Sequence, residues 1–394
     1  MQDFVYNIPT KVYFGEGQVK KYLGNLAAEF GDTALLVYGN GSIKKNGIYD
    51  KVTEALNKAE IKYYELDSVD PNPRVTSVAK GVELCRKYNV KVLIPVGGGS
   101  CIDCAKAIGM SVNYEGNPWD LIVDSSLING CMPIIAIPTV AATGSEMDND
   151  AMIINLDTKD KKGLGFLEAY PRYTIMDPTF TYSVSKKQTA AGVADIMSHI
   201  FEIYFQDAPE ASFMTDRVME ALLKTCVQYG KIACDDPENY EARANLMWAS
   251  VWAINGFANC GPTTYRWACH PIEHPLGAYY DETHGIGLAI ITPHWMRKTL
   301  NDKTVDIFKS YGINVWGIDP SLRAYEIAKL SIEKTAEFFV SMGIPSTLRE
   351  CGIGIDSDEY FAEMTEKALG PAGRINSYIP LSREDVMEIY AAAL

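Results

Sequence analysis

The sequence predicts an N-terminal Rossmann-like α/β domain with a mostly parallel sheet over residues 1–184, and a C-terminal helical domain over 185–394. Three observations carry that expectation. Strand-like and helix-like segments alternate through the first half, the pattern of successive βαβ units. From about Ser185 onward the pattern changes to long helical periods with few β-branched runs. Between the two, "YPRYTIMDPTFTYSVS" at 170–185 holds two prolines and suits a connection.

Taken in order, "FVYNIPTKVYF" near the start reads as an edge strand, and "TALLVYG" at 33–39 as a buried strand ending in a flexible turn. "IKYYELD" at 61–67 is followed by "PNP" and a helical pattern through "VTSVAKGVELCRKY". "KVLIPVGGGS" runs from a buried strand into a glycine turn, and "PIIAIPT" at 133–139 is another short buried strand. In the second half "KKQTAAGVADIMSHIFEIYF" and "LRAYEIAKLSIEKTAEFFVSMG" read as helices set apart by Pro, Gly and Asp. No internal repeat or low-complexity segment interrupts them.

A chain of 394 residues with 47% hydrophobic and 22% charged residues has room for two or three cores. Its formal charge of −14, spread along the chain, disfavours nucleic acid and anionic membranes as partners. No apolar run is long enough to span a bilayer. The nine cysteines are an odd number, and "MQDFVYNIPTKVYF" has neither a basic n-region nor an apolar h-region. A cytoplasmic protein with reduced thiols is expected.

In "VLIPVGGGSCIDCAKAIG", Gly97, Gly98 and Gly99 stand between a strand and a helix. Without Cβ atoms they allow close approach to the backbone, and the N–H groups at a helix start favour an anion such as a pyrophosphate. Ser100, Asp103 and Lys106 follow in the first turns of that helix. The string is not GxGxxG, and alone it also fits a tight turn without a ligand. Cys101 and Cys104 make a C-x-x-C, readable as a redox pair or half a zinc site, but the chain has no second C-x-x-C. A second flexible turn, Gly39, Asn40, Gly41 and Ser42, follows the strand at 33–39 and precedes two lysines. Dinucleotide folds that hold the adenosine ribose by an acidic residue place it after a strand, so this loop leans toward NADP(H).

The five histidines are unevenly placed: His199 alone, and His270, His274, His284 and His294 within one short window. In "AGVADIMSHIFEIYF", Asp195 and His199 are four apart, about 400° of helical rotation, and so share a face. "CHPIEHPLGAYYDETHG" adds an i, i+4 pair and a further histidine before a glycine. One carboxylate with several imidazoles suits Zn²⁺ or Fe²⁺ better than Ca²⁺ or Mg²⁺. Spacing does not separate His270 from His274 as a ligand. His294 is expected as a hydrogen-bonded residue at a helix end.

The ordered set "PVGGGSCIDCAKAI", "IPTVAATGSEMDNDAMI", "MDPTFT", D-x-x-x-H and H-x-x-x-H-x₉-H resembles the iron-containing (group III) alcohol dehydrogenases over nearly the whole chain, and within them the NADPH-dependent butanol dehydrogenase branch. The resemblance implies the dehydroquinate synthase-like fold. It also implies that Asp195, His199, His270 and His284 hold the metal, with His274 beside the nicotinamide and taking part in proton transfer. For the cofactor it implies Gly97, Gly98, Gly99, Ser100 and Asp103 at the diphosphate, Thr139 and Thr143 as a second wall, Asn72 on the adenosine side, and Lys161. Gly39 stands where NAD-preferring relatives carry an acidic residue, which implies NADP(H).

The expected reaction is hydride transfer between NADP(H) and a short- to medium-chain aldehyde or primary alcohol, with Fe²⁺ or Zn²⁺ as Lewis acid. An NAD-linked diol or lactaldehyde reductase of the same family is the nearest alternative. A dehydroquinate-synthase-like lyase would need several Arg and Lys around the metal, and none lies between His270 and His284; Arg266 is the one nearby. The resemblance also suggests a homodimer, formed through the N-terminal edge strand.

Overall fold

The computed structural model describes residues 3–205, 212–261, 267–353 and 358–394. The chain forms two compact units. One comprises Asn7–Val184 with Pro237–Val251, and the other Ser185–Asp236 and Trp252–Leu394 with the residues before Asn7.

In the first unit the strands are β1 (Lys11–Phe14), β2 (Thr33–Val37), β3 (Lys62–Leu66), β4 (Val92–Gly97), β5 (Ile135–Pro138), the pair β6 (Asp150–Asn155) and β7 (Asp160–Gly165), and β8 (Tyr173–Met176). Six of them make one sheet in the order β1-β8-β5-β4-β2-β3, parallel at every pairing. β1 occupies an edge, as its sequence suggested. β6 and β7 form a separate antiparallel hairpin that the alternation pattern did not reveal. The lysines and exposed glycines of "DKKGLG" hide the period of a strand.

The helices are α1 (Gln18–Ala28), α2 (Ser42–Lys45), α3 (Ile48–Lys58), α4 (Val75–Tyr88), α5 (Gly99–Ser111), α6 (Pro118–Val123), α7 (Lys186–Tyr204), α8 (Phe213–Asp235), α9 (Tyr240–Ile254), α10 (Cys269–Tyr280), α11 (His284–Thr299), α12 (Val305–Asn314), α13 (Ala324–Ser341), α14 (Asp358–Leu369) and α15 (Arg383–Ala393). Successive residues of a strand face opposite ways, so each buried strand feeds two cores. Leu35, Val37 and Leu93 join one apolar cluster with residues of α4 and α5. Ala34, Leu36, Val92 and Ile94 join the other with residues of α1 and α3. Burial on both faces explains why these strands read as continuous apolar runs.

β3 lies on one side of β2 and β4 on the other, so the strand order reverses there. The carboxyl ends of β2 and β4 flank that reversal, the place where open α/β sheets bind ligands. Both glycine turns, 39–41 and 97–99, leave from those two ends.

The second unit is built around α7. Ser185 starts it by accepting a hydrogen bond from the Gln188 N–H at 3.2 Å, and every residue from Thr189 to Tyr204 is buried. A helix apolar on all sides must be packed on all sides, and α8 and α11 both lie against it. Gly285 permits the second contact, since a Cβ there would stand 2.0 Å from the Ala191 carbonyl oxygen. That close approach brings the start of α11 to the middle of α7.

Candidate active site

The glycine turn after β4 is held by its neighbours. Thr139 N–H donates to Gly97 O at 2.9 Å, and a Cβ on Gly97 would meet Cys101 Sγ at 2.5 Å. Gly98 is the N-cap of α5 and no side chain caps it, so the helix start is left to an external acceptor. The Asn72 N–H donates to Ser100 Oγ at 3.2 Å, and Lys161 Nζ donates to Asn72 Oδ1 at 3.2 Å. The structure thus gathers Asn72, Ser100 and Lys161 into one connected group beside the turn. Of the other glycine turn, Gly39 meets the start of the same helix, its backbone hydrogen-bonded to the Cys101 thiol; no hydrogen bond joins Asn40, Gly41 or Ser42 to this group among the described residues.

Asp103 faces inward. Its carboxylate accepts from Ser145 Oγ at 2.6 Å and from the Met152 N–H at 3.0 Å. Lys106, completely buried, donates to the same Ser145 hydroxyl at 2.8 Å, to the Asp150 carbonyl at 2.8 Å and to Asp148. Ser145 N–H in turn donates to Thr143 Oγ1 at 3.2 Å. A buried polar network therefore stands behind the turn and ties α5 to the Thr139–Thr143 wall.

The two C-x-x-C thiols take no part in exposed chemistry. Both are free and buried, and burial pushes the Cys101 thiol up to about 12 and the Cys104 thiol well above its ordinary value. Burial thus works against the redox-pair reading of the C-x-x-C: low dielectric opposes the thiolate more than the helix N-terminus favours it.

In the helical unit Asp195, His199 and His270 offer ligand atoms all within 4.8 Å of one another, and so do Glu273, His274 and His284. The two sets touch. Asp195 Oδ1 lies 3.6 Å from His199 Nε2 and 3.6 Å from His284 Nε2. The His199 and His270 rings stack at 5.0 Å, and the His270 and His284 centroids are 5.1 Å apart. His274 stands a little further off, 6.0 Å from His270 and 5.9 Å from His284. His294 lies within α11 rather than at a helix end, because that helix continues to Thr299.

Asp195 Oδ1, His199 Nδ1 and His270 Nε2 are buried without a hydrogen-bond partner. Three such atoms at one place are costly unless something else satisfies them. One carboxylate and three imidazoles form a donor set suited to Fe²⁺ or Zn²⁺, so the residues present fit a divalent ion. Burial drives the His199 imidazole down to about 4, which leaves it neutral and able to donate a lone pair.

Two residues that sequence reasoning missed complete the cluster. Glu202 Oε1 accepts from the N–H groups of Ala268 at 2.5 Å, Cys269, and His270 at 3.1 Å, while Oε2 meets His270 Nδ1. Glu273 Oε2 meets His284 Nδ1. Burial alone pulls the His270 imidazole down, but Glu202 outweighs it and holds the ring above its ordinary value. The signal was an acidic residue inside each apolar motif, "SHIFE" and "HPIEH". Trp267 adds an aromatic wall, 4.5 Å from His270 and 5.8 Å from His199 between ring centroids. Residues 262–266, among them the Arg266 named above, lie outside the described residues.

These features define a class: a protein with glycine turns at the switch point of a parallel sheet in one unit, and a carboxylate-imidazole cluster on helices in the other. The family model of the iron-containing alcohol dehydrogenases matches residues 9–178, and the model of the C-terminal part of that family matches 189–394. The chain belongs to the iron-containing alcohol dehydrogenase family, and it is an alcohol dehydrogenase of that family. It is 51% identical over 390 residues to NADH-dependent butanol dehydrogenase A of Clostridium acetobutylicum, with 99% of each chain covered. It is 32% identical to the NADPH-dependent aldehyde reductase YqhD of Escherichia coli, over 90% of each chain. The solved structure of NADH-dependent butanol dehydrogenase A from Thermotoga maritima superposes with a TM-score of 0.93 at 35% identity, covering 100% of this chain and 99% of that one. Among the described residues no helix is long and apolar enough to cross a membrane.

Proposed function

We propose that the chain interconverts short- to medium-chain aldehydes and primary alcohols, such as butanal and butanol, with NADP(H) as hydride carrier and one divalent ion, Fe²⁺ or Zn²⁺, held by Asp195, His199, His270 and His284. The observation that carries this reading is the position of Asp195 Oδ1, buried without a hydrogen-bond partner and 3.6 Å from Nε2 of both His199 and His284.

An ion in that cluster would act as a Lewis acid, polarising a carbonyl oxygen and making its carbon a better hydride acceptor. Bound at the glycine turn, NADP(H) would supply or take up the hydride. Gly97, Gly98 and Gly99 give a pyrophosphate access to the start of α5, with Thr139 and Thr143 on the other wall and Asn72 with Lys161 on the adenosine side. Asp195 brings the negative charge that balances a cation. His274, beside His270 and His284, exchanges the proton at the substrate oxygen. Burial of Asp195, His199 and His270 keeps bulk water from the reacting centre.

The loop of Gly39, Asn40, Gly41 and Ser42 supports NADP(H), because it carries no carboxylate against a 2′-phosphate. A second reading, NAD(H), is favoured by the name of the half-identical clostridial relative. We further propose a homodimer through the edge strand β1. We also propose a cytoplasmic location, a reducing compartment that the nine free cysteines suit.

The test is oxidation of NADPH, and separately NADH, with butanal by chelator-treated protein resupplied with Fe²⁺ or Zn²⁺. Metal-dependent turnover with a higher kcat/KM for NADPH supports the whole reading. A higher value for NADH replaces the carrier and keeps the reaction. Absence of turnover with either carrier and either metal refutes the substrate class.

A further inference from the structure

Burying a carboxylate costs several kcal/mol unless donors surround it, so two completely buried carboxylates beside the candidate metal ligands call for an explanation. Glu202 and Glu273 are both fully buried. They come from different helices, α7 and α10, yet each meets Nδ1 of one histidine, His270 and His284 respectively. The opposite nitrogens turn toward the cluster: His270 Nε2 is buried without a partner, and His284 Nε2 lies 3.6 Å from Asp195 Oδ1.

We infer that Glu202 and Glu273 are positioning residues of the metal centre, each fixing its histidine in the tautomer that carries the proton on Nδ1 and presents Nε2 as the ligand atom. The inference rests on the metal reading given above. A neutral imidazole holds one proton, and a carboxylate oxygen can only accept it, so the ring nitrogen that meets the carboxylate is the donor. The other nitrogen then offers its lone pair. The carboxylate also fixes the ring plane and raises the basicity of the coordinating nitrogen.

The fold makes room for each. Glu202 is the acceptor for the start of α10, whose N-cap residue Ala268 provides no side-chain cap. One carboxylate therefore anchors both the helix that carries His270 and the ring of His270. Glu273 lies against α11 at Gly287, where a Cβ would stand 2.8 Å from Glu273 Cγ and 3.1 Å from its Oε1. Gly287 is one turn beyond His284, so the glycine admits the carboxylate beside the histidine it orients.

Glu273→Gln is the decisive variant, because the amide keeps the shape and one acceptor oxygen and removes the charge. Glu202→Gln also disturbs three backbone N–H groups, so misfolding of that variant would be ambiguous. Full-length protein is stripped with chelator and titrated with Co²⁺ alone, following the cobalt electronic spectrum and the dissociation constant, with thermal unfolding of the metal-free protein alongside. Glu273→Gln is expected to bind Co²⁺ about 10–100-fold more weakly, with an altered spectrum and little change in metal-free Tm. Parental affinity and spectrum in Glu273→Gln, while Asp195→Ala fails to bind, would overturn the positioning role and leave the metal site standing. Parental Co²⁺ binding by Asp195→Ala would instead remove the metal reading and this inference with it.

Discussion

Thr143 occupies the space that a side chain on Gly99 would need: a Cβ at Gly99 would lie 2.4 Å from Thr143 Oγ1 and 2.6 Å from its Cγ2. The turn and the wall facing it are thus packed to the limit of a glycine. Gly99→Ala must push Thr143 or the start of α5 aside, at about 1–3 kcal/mol for an overpacked site. If that strain is relieved by widening the turn, KM for the nicotinamide cofactor rises about tenfold or more while kcat at saturation changes little. Steady-state kinetics against cofactor concentration measures this directly, and an unchanged KM would separate the turn from the cofactor.

Lys106 is the cation behind that turn. Lys106→Met leaves Asp148 without its ion-pair partner and removes a donor from Ser145. Breaking a buried pair from one side costs about 3–5 kcal/mol, and the loss is expected in urea unfolding of the metal-free protein. A cost below about 1 kcal/mol, the range of exposed pairs, would show that the network is not closed to water.

Glu146 gives the stability a pH slope. It is buried, its Oε1 is without a hydrogen-bond partner, and burial raises its carboxyl from 4.5 to about 7. The unfolded chain releases this proton near 4.5 and the folded chain holds it to about 7, so the folded state carries more protons across that window. Its contribution to stability is complete below the lower value and is lost as pH rises through the upper one. Unfolding free energies of the parent and Glu146→Gln, measured from pH 5 to 8, are expected to diverge in favour of the variant as pH rises. Parallel curves would place the proton elsewhere.

Gly39 is where the proposed preference for NADP(H) is open to test. A Cβ there would meet the Val69 carbonyl oxygen at 3.3 Å, tight but within reach of a small adjustment. Gly39→Asp puts a carboxylate after β2, able to accept from ribose hydroxyls and to repel a 2′-phosphate. The ratio of kcat/KM for NADPH to that for NADH is expected to fall at least about tenfold, a difference of roughly 1.4 kcal/mol. A constant ratio would mean that specificity is set away from this loop.

The parts of the fold legible in the sequence were those dominated by local periodicity. The runs at 33–39, 61–67 and 133–139 became β2, β3 and β5, and the helical pattern at 186–205 became α7. The hairpin β6–β7 was hidden because its second strand is largely exposed and lysine-rich. At the site, Asp195 and His199 were legible because four residues are one turn of helix. Glu202 was not, because its donors on Ala268, Cys269 and His270 belong to another helix. Asp103 and Lys106 were legible as residues of the helix after the glycine turn but not as the inward-facing network that they form. Side-chain direction on a helix buried all round is decided by tertiary partners that no local pattern records.

The return of residues 237–251 to the first unit has a practical consequence for cutting and splicing this gene. Trp248 of that segment stacks edge-on with Phe14 of β1 at 5.9 Å between centroids. A fragment stopped at residue 184 would lose the indole and expose more of Phe14, already 37% exposed, on the edge strand. A chimera that exchanges nucleotide preference with a relative by a single crossover at 184 would inherit a mismatched helix in the donated half. Two further junctions, at 236 and past the end of α9 at Ile254, are needed for that helix to arrive whole.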